Sequence, residues 1–155
     1  MPIASKPGEQ KIIDDVATYG FSIMNILNSE RDEADRPEFS YTIGLFEKYQ
    51  HPEIILFGLR KIRSGIISSL GAAVKGGMAF KADELYDDIV GDYKCTFREV
   101  SEKRYPEYLG FATWYYDYQR FPALQCVWPD KNQIFPWQRG FDQRFAWEQE
   151  LLFDQ

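Results

Sequence analysis

FPALQCVWPDKNQIFPWQRGF, residues 121–141, is the stretch on which the fold of this chain turns. It opens as a strand over 123–128, with apolar side chains pointing both ways, as in a strand covered on both faces. The strand breaks at Pro129-Asp130, crosses a polar turn and resumes at Ile134-Phe135-Pro136-Trp137. Each buried Trp or Phe covers about 150–250 Å² of apolar surface. The rest of the chain must therefore supply strands and helices to enclose this Trp- and Pro-rich hairpin, which is expected to be the hub of one body.

Working outward, Tyr93, Cys95 and Phe97 alternate with Lys94, Thr96 and Arg98, the period of a strand. Between them and the hub, Pro106 suits a first helical turn. Tyr108, Phe111, Ala112 and Tyr115 then form the stripe of a helix running to about Tyr118. Upstream, 83–90 reads as a short helix with Leu85 and Ile89 inward and Gly91 as its cap. Ile62, Ile66, Leu70 and Val74 recur every fourth residue, so 61–74 reads as a longer helix ended by Gly76-Gly77. Ile54 to Phe57 is a continuous apolar run, a strand buried on both faces. Phe39, Tyr41, Ile43 and Leu45 alternate with Ser40, Thr42 and Gly44, the pattern of a half-buried strand over 39–46, followed by a loop over 47–50. Phe21 to Leu27 is a further strand, and 30–38 is a charged surface loop containing Pro37. Residues 9–18 make a helix closed by Gly20, and 142–152 a weaker one at the other end. Strands that neighbour one another in sequence predict an α+β fold in a single domain, 1–155. Its sheet is largely antiparallel or mixed, with helices packed on one face. Residues 8–155 form the ordered core and 1–7 a flexible N-terminus.

The totals narrow the function. With 18 basic and 24 acidic residues the net charge is −6, which opposes nonspecific binding to nucleic acid. There is no run of about 18 apolar residues to span a membrane and no apolar signal core near the N-terminus. A cytoplasmic location follows, with Cys95 and Cys126 as two reduced core thiols. One histidine, His51, is too few for a zinc centre, and it is expected to hydrogen-bond backbone. No nucleophile elbow is present, and Cys126, in an apolar strand, should have a raised pKa. Gly71 near the end of the 61–74 helix and Gly76-Gly77 after it sit at the wrong end of its dipole for an anion. Asp130 is expected to bind backbone N–H groups in its turn. No catalytic residue, metal site or cofactor is expected.

Several blocks carry a family likeness: Tyr41-Thr42-Ile43-Gly44-Leu45, His51-Pro52-Glu53, Phe57-Gly58-Leu59, Tyr108-Leu109-Gly110, Phe121 to Gln125, Val127-Trp128-Pro129-Asp130 and Phe135-Pro136-Trp137. In this order they resemble the bacterial family known as domain of unknown function 4262. The resemblance implies one intact domain and brings no established activity. One departure is Gln133, where glycine is expected, so the turn after Asp130 should be longer or differently shaped.

Acidity, an aromatic surplus and the missing catalytic apparatus together point to a small binding protein, such as an immunity protein that neutralises a basic toxin. Asp87, Asp88 and Asp92 are the expected partner-binding residues, since an acidic surface steers a basic partner. Trp114 and Tyr116 are the expected aromatic anchors. The alternative is a flavin-like cofactor or redox domain with a small β-barrel, suggested by the strand-rich N-terminal half and its stacking aromatics.

Overall fold

The strand that opens the quoted stretch lies inside a six-stranded sheet, and all of its side chains are buried. The computed structural model describes residues 2–28 and 37–154. In chain order these form α1 (Pro7–Tyr19), β1 (Ser22–Ile26), β2 (Phe39–Ile43), α2 (Leu45–Tyr49), β3 (Glu53–Phe57) and α3 (Arg63–Lys75). There follow β4 (Leu85–Val90), β5 (Tyr93–Glu99), α4 (Tyr105–Tyr108), α5 (Gly110–Tyr115) and β6 (Ala123–Val127). Short 3-10 turns occupy Glu102–Arg104 and Gln143–Glu148. Most of the charged loop expected over 30–38 lies outside the described residues.

The strand order is β1-β2-β3-β6-β5-β4. Every neighbouring pair is antiparallel except β3 and β6, which run parallel with Glu53 opposite Ala123 and Leu56 opposite Cys126. The class is α+β with a mixed sheet, as expected. Alternation along the inner strands sorts their side chains onto two faces. Ile54, Leu56, Leu124 and Cys126 face Ile66, Ile67, Leu70 and Val74 of α3. Tyr41, Ile43, Ile55 and Phe57 face Ile12 and Val16 of α1, together with Leu109, Ala112, Tyr115 and Leu152. Helices thus divide between the two faces rather than gathering on one. Apolar runs such as Ile54–Phe57 require cover on both sides, which a single helical layer does not give.

Several local expectations are corrected. β2 is buried throughout rather than half-buried. Its polar members are satisfied inside: the Ser40 hydroxyl donates to Asn25 Oδ1 (2.6 Å) and accepts from Arg63 Nε (2.9 Å), and the Thr42 hydroxyl donates to Glu53. The strand also stops at Ile43, because Gly44 (φ 112°) turns the chain into α2, where a loop was expected. Residues 85–90 are strand, not helix. Leu85 and Ile89 have helical spacing, yet Leu85 is 58% exposed and Gly91-Asp92 makes a two-residue hairpin turn to β5. A bulge between Tyr86 and Val90, with Asp88 at φ 64°, disturbs β4 locally.

The helix expected to reach Tyr118 is two short ones broken at Leu109, and the C-terminal helix is a 3-10 turn. Past β6 the chain does not resume as a strand. It forms a turn in which the Asp130 carboxylate accepts N–H bonds from Asn132, Ile134 and Asp142, as expected. Gln133 takes φ 63° there, the conformation for which glycine was expected, and its side chain accepts from the Lys94 N–H (2.8 Å). Leu124, Val127 and Phe135 are buried. Trp128 donates its indole N–H to the Phe57 carbonyl (2.8 Å), and Gln149 bonds both the N–H and the carbonyl of Trp128. The hub is therefore β6 and its exit, tied by side chains rather than by a second strand.

Candidate functional site

Glu53 is the one carboxylate among the described residues with no measurable exposure. It opens β3 beneath the turn from β2 to α2. Gly44, through its positive φ, aims the successive N–H groups of residues 44–46 at one point, a backbone nest for an anion. Glu53 Oε1 accepts from the Thr42 hydroxyl (2.8 Å) and the Leu45 N–H (3.2 Å). Oε2 accepts from the N–H groups of Gly44 (3.0 Å) and Phe46 (3.2 Å) and from the Tyr116 hydroxyl. Burial pushes this carboxyl up to about 7, although the bonds from Tyr116, Thr42, Phe46 and Gly44 pull it down. Burial and the Glu53 charge push the Tyr116 phenol far up as well. Each acceptor position is taken by the chain itself, so the cluster fastens α2 and the end of α5 to the sheet and leaves no place for a substrate.

Neighbouring titratable groups are also spent on the fold. His51 Nε2 accepts from the Phe80 N–H (3.0 Å), which fixes the proton on Nδ1, where it donates to the Pro52 carbonyl (2.7 Å). Burial lowers its pKa, so the ring is neutral. This is the backbone role expected for it. Cys95 and Cys126 are free and buried, and their proximity together with burial pushes the Cys126 thiol up. Among the described residues no three His, Cys, Asp or Glu side chains are placed to share a metal ion. No helix among them is long and apolar enough to cross a membrane.

The aspartates lie elsewhere. Asp87 and Asp88 stand exposed on β4, at the rim of an open groove of about 1080 Å³ between that strand and α3. Its apolar lining includes Ile62, Ile66, Leu70, Met78, Phe80 and Ile89. Ile62 and Met78 are 50% and 44% exposed. Asp92 sits beyond, exposed in the β4–β5 turn. Trp114 and Tyr116 are not with them. They pack with the core on the other face of the sheet, and the Tyr116 hydroxyl is committed to Glu53. The structure thus joins two of the five expected contact residues in one groove, keeps a third nearby along the hairpin and separates the aromatic pair.

Sequence reasoning passed over Glu53 and the groove. A signal for Glu53 was present: a charged residue heading the doubly buried run Ile54–Phe57 must be paired or costly. Nothing comparable marked the groove, since reading 83–90 as helix removed one of its walls.

A sequence model of the family described as domain of unknown function (DUF4262) matches residues 15–142, well over half of the chain. The chain belongs to this family. The DUF4262 region holds every strand of the sheet, the Glu53 nest and the whole lining of the groove. Gln149 and Leu152, which close over β6, lie beyond it. No curated protein and no solved structure matches the chain.

Proposed function

We propose that this DUF4262 chain is a small acidic binding protein of the immunity type, which neutralises a basic toxin by direct contact. The observation that carries the reading is the groove between α3 and β4, mostly apolar, with two acids, Asp87 and Asp88, against one lysine, Lys61, among its lining residues. An apolar patch supplies contact area and flanking acids supply approach rate and orientation. The net charge of −6 acts in the same sense at longer range. Among the described residues the sheet has β1 and β4 as its edges.

The test is co-expression with the products of the neighbouring genes, among which the reading expects a basic toxin. Growth rescue and a stable complex are expected. Reversing both rim charges, Asp87→Lys with Asp88→Lys, should cut the association rate by about ten- to a hundredfold at low salt. Failure to rescue growth or to bind removes the reading. A complex indifferent to salt and to both reversals removes its electrostatic half.

A further inference from the structure

α3 carries a line of small residues along the wall of the groove: Gly65, Ser69 and Ala73, each four positions apart and so stacked on one helix face. The fold itself gives no reason for the first of them. A Cβ added at Gly65 meets nothing within 4 Å, and its φ is not positive, while glycine in a helix is less stable than alanine. Small residues at this spacing let a second helix backbone approach closely, as they do in helix pairs within membranes.

The layer also has room. Six strands about 4.8 Å apart span about 24 Å, whereas one helix with its side chains covers about 10–12 Å. On this face α3 lies over β2 and β3 and reaches β1 and β4 only lightly. Toward β4 the surface is the groove, floored by Phe80 and Ile89, with the half-exposed Ile62 and Met78 at its margins, Lys61 just before α3, and the two acids Asp87 and Asp88 on the β4 side. An occupant that completes the layer has one apolar face for this floor and cationic residues on the side turned to the aspartates.

We infer that the groove is the docking site for a basic amphipathic α-helix of the partner protein, laid along α3 with its backbone drawn in by the Gly65–Ser69–Ala73 seam. The inference rests on the basic-partner reading above and adds to it the shape of what is recognised.

The probe is an 18-residue capped peptide of leucine and lysine with leucines at helical spacing. One comparison peptide has the same composition in strict alternation, and another has glutamate in place of lysine. Binding is followed by fluorescence anisotropy. Saturable binding of the helical lysine peptide alone is expected. It should weaken at least tenfold in Ser69→Gln and in Ala73→Gln, which fill the seam, and in the Asp87→Lys, Asp88→Lys double variant. Gly65→Ala should raise the thermal midpoint by about 2–4 °C while weakening the peptide, a pairing that a merely structural glycine does not produce. Weakening by the aspartate reversals but not by the seam variants overturns the groove and leaves the acidic-surface reading standing. Equal or tighter binding of the alternating peptide overturns the helix in favour of a strand added to β4. No saturable binding of the helical peptide overturns the docking site, and growth rescue then decides neutralisation separately. A homodimer dispersed by Ala73→Gln gives the groove to a second copy of the chain and likewise overturns the inference.

Discussion

Glu53→Ala should lower folding stability by about 3–5 kcal/mol, because it orphans several buried donors that the nest holds on one carboxylate. Glu53→Gln separates charge from shape. Burial raises the folded carboxyl to about 7 from its ordinary 4.5. Between those values the folded protein keeps a proton that the unfolded chain has already lost. Stability therefore falls as pH rises through that window, is flat below about 4.5 and levels off above about 7. A shift of that size corresponds to roughly 3 kcal/mol across the window. The glutamine variant has no such proton, so the stability difference between the two proteins should shrink from pH 4.5 to 7. Urea unfolding at several pH values measures it, and parallel curves for the two proteins would refute the account.

Trp128→Ala is the second large effect, about 3–5 kcal/mol. The indole is 5% exposed and leans on Gly58, where an added Cβ would lie 3.0 Å from the ring. Its loss opens a cavity beside β6 and leaves the Phe57 carbonyl without its 2.8 Å donor. For a chain of this length the melting temperature should drop by about 10 °C or more. Trp147→Ala is the internal control: that ring is 57% exposed and its removal should cost under about 0.5 kcal/mol. Similar losses at the two positions would mean that β6 is not the centre of the structure.

How far the sequence speaks is visible in single residues. Apolar periodicity located α1, β3, α3, β5 and β6, since each buries a regular stripe or run that composition alone displays. Gly20, Gly44 and Gly91 punctuate true turns, but one motif can end a helix or close a hairpin, and at Gly91 the hairpin wins through pairing with β5. That pairing is a long-range fact which spacing within 85–90 does not encode. Ser40 and Thr42 misled in the opposite direction. Polar side chains usually mark the wet face of a strand, and here they are buried because Arg63 and Glu53 reach them from distant elements. Glu53 itself is legible only once the nest is assembled, as its partners come from residues 42–46 and from Tyr116. Asp87 and Asp88 were singled out for their charge alone; what gives them a setting is the helix across the groove.

The parallel joint at the middle of the sheet bears on how the protein is born. Glu53 and Ala123 face each other 70 positions apart, since 123 − 53 = 70. At about 5–20 residues per second a ribosome needs roughly 4–14 s to make the intervening chain. Throughout that interval the nascent Ile54–Phe57 edge has no mate, and such an apolar edge recruits other chains. β1–β2–β3 and β4–β5 are each local meanders that can assemble early, and the last strand to emerge wedges between them. Chains arrested before residue 123 should accordingly bind nascent-chain chaperones or precipitate, while those released after β6 and its closing segment should be protease-resistant.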